Sequence, residues 1–470
     1  MENTMAFSIK KRLKSTQAAL DGFPWKLATI LYTLSWGWPL LRPNTLYWDD
    51  WAYIYGRPKS YLNEIFVNTG LPPWRALIDQ ELLTFGYWTI RWLTFAMFLA
   101  TGIFLFEILK KVPIFSAKQK SYIVLLFLVI PANHARIALV MFGYTTSYFL
   151  FFLGWMLLIR RSTWSHFLTA SLCFFWCFMT HSFLFFLALP IAHSVFLNRN
   201  RLKRSHLDVK ILARISILTL SPIIYVFLRS QLWQPTEKYQ NYHSFHWYGL
   251  LLGIVYFLPG ALLFFLMQIF GNKKRDTTKI KQLILGFIIL GLGLLPYCIS
   301  NNADRYSLMV WRPEWASRHQ LLMPLGMALI LVGTFSLFEK LELQKLVFMA
   351  STIFMISNAY WGAQYYLDSL KKEQLIELVK QELNFENISQ IEFVDNARNF
   401  NFRGGKYRGT EVQGLFSIAF QDVDRSVDVT SCLAAKDAEV FSLNAKNSFV
   451  RALITAEVGL YVKLNPCKSK

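Results

Sequence analysis

The feature that most constrains the fold is a series of apolar runs, each about as long as a membrane is thick. The run GYWTIRWLTFAMFLATGIFLFEIL (86–109) contains only one basic and one acidic side chain. A membrane-spanning helix needs about 20 apolar residues, and lipid offers no partner to exposed backbone polar groups, so such runs must be helical. The sequence predicts eleven spans, at about 24–41, 86–109, 119–133, 143–159, 164–180, 182–198, 211–229, 247–270, 282–299, 319–338 and 344–361.

The pattern changes after the last of these runs. Residues 367–385 combine helical apolar spacing with charges, and residues 388–396 and 459–466 alternate as strands do. The sequence therefore predicts an all-α polytopic membrane protein of about 11 transmembrane helices over residues 1–361. A small α+β extracytoplasmic C-terminal domain is predicted over residues 362–470.

The placement of positive charge predicts the orientation. The net charge is +20, but residues 371–470 are nearly balanced, which argues against a nucleic-acid-binding protein. The excess lies in short clusters at alternate connections, beginning with KKRLK (10–14). Basic connections face the cytoplasm, so we expect a cytoplasmic N-terminus and an extracytoplasmic C-terminus. The expected location is the bacterial inner membrane, which a short, compact chain fits.

An acidic pair follows the first predicted span, in the stretch LYWDDWAYIYG (46–56). Trp and Tyr gather at membrane interfaces, so a purely structural interpretation is an aromatic belt around a solvated turn. In a functional interpretation, Asp49 or Asp50 accepts a proton from an attacking hydroxyl at the membrane surface. Alternatively, two neighbouring carboxylates could hold a divalent metal ion.

Basic residues on other predicted outer connections fit a reaction that releases a lipid phosphate. Arg suits phosphate oxygens because its planar guanidinium donates two hydrogen bonds. The alternative is that Arg318 and His319 extend from a helix end towards water. The candidates are Arg305, Arg312, Arg318 and His319 in the stretch 301–319, and Arg136 with His134 in PANHAR (131–136).

One basic residue lies at or within a predicted span. Arg91 belongs to GYWTIRWLTF, and ionisable side chains at membrane depth are costly and often functional. Asp79 and Glu81 are nearby in sequence and are its candidate partners.

The order of these features resembles the GT-C superfamily of membrane glycosyltransferases. A basic N-terminus, a span, an acidic pair early in a long first outer loop and many further spans are shared with it. WDDWAYIYGR and GYWTIRW are loosely similar to bacterial O-antigen glucosyltransferases, and ASRHQLLMP resembles the late arginine-containing loop that holds the carrier phosphate. The resemblance covers roughly residues 10–361.

The resemblance implies an inverting transferase that moves a sugar from a polyprenyl-phosphate carrier to an extracytoplasmic glycan or lipid-linked acceptor. Asp49 or Asp50 would be the base while the other orients the acceptor. Arg318, with Arg305 or Arg312, would neutralise the departing phosphate. Trp48 and Trp51 would stack on sugar faces or anchor the belt.

Two departures from the family pattern shape this expectation. PANHAR lacks the acidic residues by which GT-C oligosaccharyltransferases hold a metal, so no cofactor is expected and a divalent metal is not favoured. No WWDYG-type motif occurs in the C-terminal region, so transfer to protein asparagine is not supported.

Two other functions remain open. An O-antigen polymerase or ligase also uses outer arginines on polyprenyl-linked glycans, although it does not depend on an early acidic pair. A transporter or lipid flippase would usually show paired halves with broken helices, and the sequence has no such repeat.

Overall fold

The computed structural model describes residues 25–51, 60–160, 163–202, 209–236, 277–299, 315–338, 342–381, 390–395, 409–420, 428–429, 439–442 and 461–466. Helices dominate this part of the chain. Six segments in it are long and apolar enough to cross a membrane. They are Tyr87–Lys110, Leu139–Arg160, Ser182–Arg199, Ile211–Leu232, Thr277–Tyr297 and Leu343–Glu377.

The α-helices are numbered in chain order. Short 3-10 helices precede or join several of them, at Trp38–Leu41, His134–Ile137, Leu139–Met141 and Trp315–Gln320. The α-helices are α1 Trp25–Trp36, α2 Ser60–Asn68, α3 Trp74–Thr84, α4 Tyr87–Lys110, α5 Ala117–Val129, α6 Phe142–Arg160, α7 Trp164–Cys177, α8 Ser182–Phe186, α9 Ala188–Leu202, α10 Val209–Leu232, α11 Thr277–Ile299, α12 Met323–Phe335, α13 Leu343–Gln381 and α14 Gly409–Phe420.

The prediction of eleven full spans is not supported. Four of the predicted spans correspond to α1, α5, α7 and α12, which have only 12, 13, 14 and 13 residues. At 1.5 Å per residue they are about 20 Å long, against about 30 Å of hydrocarbon. The predicted span at 247–270 lies outside the described residues.

Helix α5 shows why an apolar run need not be a full span. Its start is fixed by a capping box, in which the Gln119 backbone N–H donates to Ser116 Oγ and the Ser116 N–H donates to Gln119 Oε1. Every residue from Ile123 to Val129 is buried. A helix that is apolar all round and buried by protein is a core helix, which is the role of α5 between α4, α12 and α13.

The main core lies between the helices and is rich in aromatic rings. Phe151 and Phe152 on α6 are fully buried, as is Phe174 on α7. The rings of Phe151 and Phe174 pack edge to face with their centroids 5.5 Å apart. Such tilted contacts add to the stabilisation that burial itself gives.

Polar side chains join the helices at one end of the bundle, which we call the Gln119 end. Gln119 Nε2 donates to Gln282 Oε1 at 3.2 Å and to Ser336 Oγ at 3.0 Å. Gln282 Nε2 in turn donates to the Ile114 carbonyl. Three of the connections that the sequence assigns to one side of the membrane therefore meet here.

The opposite end, which we call the Asp50 end, consists of residues 46–51, 133–141 and 315–320. A second apolar cluster lies there, built around Tyr47, Trp48, Met141 and Tyr365. Helices α5 and α12 each have one end at the Gln119 end and the other at the Asp50 end. The predicted alternation of connections agrees with this grouping, while the end that faces the cytoplasm stays a prediction.

The predicted boundary at 361/362 falls inside one continuous helix. Helix α13 runs for 39 residues, from Leu343 to Gln381, and α14 packs against it. The separate C-terminal α+β domain is therefore not supported, because the helical pattern of residues 367–385 extends the last span instead of starting a new unit. Four strands form a sheet in the order β2-β1-β4-β3, with β1–β2 parallel and the other two pairs antiparallel. The strands are β1 Gln390–Asp395, β2 Asp428–Val429, β3 Glu439–Ser442 and β4 Tyr461–Pro466.

Candidate functional site

A tight turn at the Asp50 end separates the two aspartates. The Asp50 backbone N–H donates to the Tyr47 carbonyl at 3.0 Å. Within the turn, Trp48 adopts a left-handed backbone conformation with φ of 51°. Bulky residues rarely adopt it, and the strain amounts to about 1–3 kcal/mol. The turn places Asp50 in the interior and leaves Asp49 half-buried.

Asp50 is fully buried and held by three groups. Its Oδ2 accepts the Tyr47 N–H and its Oδ1 accepts the Val140 N–H, both at 3.1 Å. Arg91 Nη2 lies 3.6 Å from Oδ2. Burial raises the pKa of Asp50 to about 6, although Arg91 and the backbone N–H groups oppose the shift. Asp50 thus fastens the first loop to the segment before α6.

Arg91 binds the same loop from the other side. Its Nη2 donates to the Thr45 carbonyl and its Nε donates to the Pro43 carbonyl at 3.4 Å. The guanidinium carbon also lies 5.2 Å from the centre of the Tyr47 ring. A cation on α4 therefore holds the loop that carries the acidic pair.

The sequence offered Asp79 or Glu81 as the partner of Arg91. Asp79 instead forms a buried ion pair with Arg75, one turn earlier on α3. Both residues lie on the same helix at i, i+4 spacing, where side chains are neighbours. The carboxylate nearest to Arg91 is Asp50, which lies 41 residues earlier in the sequence and cannot be identified as its partner by local spacing.

The two other predicted outer segments pack against each other at this end. The Asn133 N–H donates to Gln320 Oε1 at 3.0 Å, and the Ala135 N–H donates to Ser317 Oγ at 2.8 Å. Asn133 also has a left-handed backbone, with φ of 57°. PANHAR and WASRHQ thus form one connected structure.

Two tryptophans connect this structure to the acidic turn. The rings of Trp48 and Trp315 lie 5.9 Å apart. Arg318 stacks on Trp315, with its guanidinium carbon 4.8 Å from the ring centre, and Nη1 donates to the Trp315 carbonyl at 3.3 Å. The structure therefore brings Asp49, Asp50 and Arg318 to the same end of the molecule.

The two tryptophans beside the acidic pair are not placed to stack on a sugar. Trp48 and Trp51 are each only 2% exposed. Trp48 packs on Tyr365 with ring centres 5.6 Å apart. Their expected role as sugar-stacking or belt surfaces does not fit these positions, because both ring faces are covered by protein.

Arg136 lies in an aromatic box instead of on a surface. Its guanidinium carbon is 3.2 Å from the Trp36 ring centre and 4.5 Å from that of Phe98. Burial lowers the pKa of Arg136 to about 10. The cavity beside it has a volume of about 10 Å³, which is near the minimum for one water molecule. This space is too small for a phosphate group.

Of the two histidines suggested by sequence, His134 is buried and His319 is half-buried, and both are neutral. Burial, together with nearby Arg136, lowers the pKa of His134 to about 3. Burial, together with nearby Arg318, lowers the pKa of His319 well below its ordinary value. His319 packs against the Tyr297 ring at 5.0 Å. Neither imidazole is therefore a cation at neutral pH. Arg305 and Arg312 lie outside the described residues.

Sequence reasoning missed Lys372, which is buried at the Asp50 end. Its Nζ donates to the Leu46 carbonyl at 3.0 Å and pairs with Asp368 Oδ2 at 2.8 Å. It also faces the Tyr47 ring at 5.1 Å. One sequence feature could have indicated Lys372, namely its i, i+4 spacing from Asp368 on a helix that continues past the last predicted span.

A cavity of about 380 Å³ lies between the first loop, α13 and α14. Asp49, Asp50 and Arg318 do not line it. Separately, among the described residues, no three His, Cys, Asp or Glu side chains are grouped closely enough to hold a metal ion. The cavity is lined by Leu41, Arg42, Pro43, Asn44, Thr45, Leu46, Trp51, Tyr87, Ser369, Lys372, Glu373, Ile376 and Ile418.

Comparison with known proteins does not place the chain in a family. Models of known protein families gave no match, and no curated protein matched it either.

Proposed function

We propose that this chain is a GT-C-type membrane glycosyltransferase that moves a sugar from a polyprenyl-phosphate carrier to an extracytoplasmic glycan or lipid-linked acceptor. The observation that carries the proposal is that the two aspartates differ in burial and in hydrogen bonding. Asp50 is buried and bound to two backbone N–H groups, whereas Asp49 is half-buried on a strained turn. Backbone strain and perturbed carboxylates cluster at functional sites.

The two carboxylates have separate roles in this mechanism. Asp49 is the general base and takes the proton from the acceptor hydroxyl. Asp50 does not contact substrate and is a positioning residue that holds the loop through Val140 and Arg91. The sequence left the order within the pair open, and their burial favours this assignment.

The transfer follows an in-line displacement. The acceptor oxygen attacks the anomeric carbon from the face opposite the phosphate, and the bond between that carbon and the phosphate oxygen breaks. Polyprenyl phosphate leaves with the bonding electrons, so the configuration is inverted. Arg318 stabilises the charge on the departing phosphate, as a preorganised cation does at a developing anion. Arg305 and Arg312 remain candidates for the same role.

The proposed reaction takes place on the outer face of a bacterial inner membrane, within the cell envelope. We favour a route without a divalent metal, since PANHAR supplies no carboxylate to hold one. The proposed partners are a lipid-linked sugar donor and a polysaccharide such as the O-antigen of lipopolysaccharide.

The test is sugar transfer in proteoliposomes that contain the full chain and radiolabelled polyprenyl-phosphate hexoses or pentoses. We expect Asp49→Asn to lower the release of polyprenyl phosphate by about 10²–10⁴-fold, the usual contribution of a general base. Glu64 is an exposed carboxylate of the same predicted outer loop, so Glu64→Gln is the matched control and should leave the rate unchanged.

Arg318→Lys and Arg318→Ala complete the set. A graded loss of rate is expected, because lysine keeps the charge but not the two-pronged geometry. Full transfer by Asp49→Asn would overturn the assignment of the base. Release of polyprenyl diphosphate would favour a polymerase or ligase, and lipid movement without sugar transfer would favour a flippase.

A further inference from the structure

We propose that the 380 Å³ cavity between the first loop and α13 binds a neutral sugar unit of the acceptor glycan. Its role as an acceptor site rests on the proposed function, whereas the binding of a neutral sugar does not. Its volume is near the lower end of the range of about 300–1,000 Å³ for small-molecule sites. It therefore suits one or two sugar rings, not a long chain.

One face of α13 supplies much of the cavity wall. Ser369, Lys372, Glu373 and Ile376 line it together, at the i, i+3 and i+4 spacings that place side chains on one side of a helix. The opposite wall is the loop of residues 41–46. Because α13 is a continuous helix through this region, the wall is rigid and preformed.

The polar groups of the cavity match hydroxyl groups. Arg42 Nη1 lies 2.6 Å from Glu373 Oε1 and donates to Ser369 Oγ at 3.4 Å. Asn44 contributes a side-chain amide. The wall thus offers donors and acceptors side by side, as a hydroxyl requires, since each hydroxyl both donates and accepts.

The same arrangement disfavours a phosphate or other anion. Glu373 already pairs with Arg42, and Asp368 pairs with Lys372. An incoming phosphate would have to displace a carboxylate from each cation and would be repelled by it. A neutral polyhydroxyl ligand has no such penalty.

The remaining wall is apolar and aromatic, which suits the C–H faces of a sugar ring. Tyr87 lines the cavity together with Leu46 and Ile418. Sites for small ligands usually combine such a wall with a few placed polar groups. Polar and apolar surfaces therefore both match a sugar.

The cavity has an accessible rim and a direct connection to the acidic turn. Leu41 is 73% exposed and the Glu373 side chain is 62% exposed, so the ligand can enter between them. Trp51 directly follows Asp50, and Lys372 donates to the carbonyl of Leu46 in the same loop. A sugar in this cavity would press on the loop that carries Asp49.

The experiment is photo-crosslinking of the purified full chain with diazirine-bearing neutral disaccharides of glucose, galactose, mannose and rhamnose. Labelled peptides are identified by mass spectrometry. Ile376→Trp fills the cavity, and Ile356→Trp is the matched control, since Ile356 is an exposed residue on the same helix. We expect labels on residues 41–51 or 369–376, reduced at least about tenfold by Ile376→Trp and unchanged by Ile356→Trp.

Glu373→Gln is a second variant that tests the site even if Ile376→Trp fails to fold. It removes a charged acceptor at the rim without adding volume, and it should weaken labelling in a protein that still elutes as a single peak. Labels outside the cavity, or equal labelling of all variants, would overturn the proposal. Efficient competition by a phospholipid headgroup would overturn it as well.

The outcome separates this proposal from the proposed function. If the cavity is labelled but the chain releases no polyprenyl phosphate, the sugar site is supported and its proposed role in transfer is wrong. Sugar transfer without cavity labelling leaves the transferase standing and overturns the sugar site.

Discussion

The two ends of the helical bundle hold their helices together with different chemistry. At the Gln119 end Gln119 reaches Gln282 and Ser336 through its neutral amide. At the Asp50 end charged ties are added to neutral ones, with Asp50 against Arg91 and the Lys372 ammonium against the Leu46 carbonyl. Removing ions from water costs several kcal/mol each, whereas a neutral hydrogen bond avoids this penalty.

The two ends depart to different degrees from the simplest way to join helices. The Gln119 end uses amides and hydroxyls, and this is sufficient for fastening. The Asp50 end adds buried ions and two left-handed residues, Trp48 and Asn133. Such departures from favourable local structure are expected at functional sites. The comparison therefore locates the candidate site independently of the motif resemblance.

The largest loss of stability is expected when the ion pair between Asp50 and Arg91 is broken. Asp50→Asn should lower the free energy of unfolding by on the order of 3 kcal/mol, because Arg91 stays buried without its carboxylate. The measurement is the midpoint of detergent-induced unfolding in mixed micelles. Asp49→Asn, at the half-buried neighbour, is the control and should have a smaller effect.

A second substitution distinguishes charge from packing. Arg91→Met in the Asp50→Asn background should restore part of the lost stability, since it removes the uncompensated ion. If Asp50→Asn is as stable as the wild type, the contrast between the two ends disappears.

The next effect concerns how closely neighbouring side chains pack against a helical glycine at each end. A Cβ at Gly362 would meet the Trp38 ring, which is stacked between helices on Tyr365. A Cβ at Gly333, near the Gln119 end, would meet the Leu283 side chain at 2.9 Å (Cδ2) and 3.2 Å (Cγ), with the Leu283 backbone nitrogen at an ordinary 3.5 Å.

Gly362→Ala should therefore be destabilising by about 1–3 kcal/mol, the usual range for overpacking. Gly333→Ala should be close to neutral, since the helix gains about 1 kcal/mol when alanine replaces glycine. The same unfolding midpoint measures both variants. Equal losses would mean that both ends pack with the same rigidity.

The third effect is a difference in pH response. His134 has a folded-state pKa of about 3, below its ordinary value of 6.5, because it is buried. The unfolded chain therefore binds a proton below about pH 6.5 that the folded chain does not, so stability falls as the pH is lowered.

At pH 5.5 this contribution amounts to about 1.4 kcal/mol relative to neutral pH. His134→Gln should reduce the loss by that amount, as measured by unfolding midpoints between pH 5.5 and 7.5. Variants of Gln282 should change the midpoint equally at each pH, because an amide does not titrate. A histidine variant with an unchanged pH profile would contradict the assignment.

The sequence predicted the helical, membrane-spanning class of the chain. This class depends on hydropathy and charge, which are local properties of the chain. It overestimated the spans because apolarity marks burial in protein as well as in lipid. The residues of α5 would be equally apolar in a core helix and in a membrane span, and only the groups that pack around them distinguish the two.

The contacts that organise the candidate site could not be predicted. Asp50 meets Val140 and Arg91, and Lys372 meets Leu46, across separations of up to 326 residues. No periodicity relates such positions. The burial of Asp50 but not of Asp49 likewise depends on the left-handed turn at Trp48, which the residue type itself disfavours.

The smallest expected effect tests whether the Gln119 end is purely structural. Gln282→Leu should lower the free energy of unfolding by about 1 kcal/mol, because the Ile114 carbonyl loses its donor. Replacing Gln119 with leucine in the same chain should add a further loss, because the Ser116 N–H then loses Gln119 Oε1 and the capping box at the start of α5 is broken. Sugar transfer by both variants, once corrected for the amount of folded protein, should equal that of the wild type. A specific loss of transfer would mean that the Gln119 end also takes part in the proposed reaction, and the contrast between the two ends would be wrong.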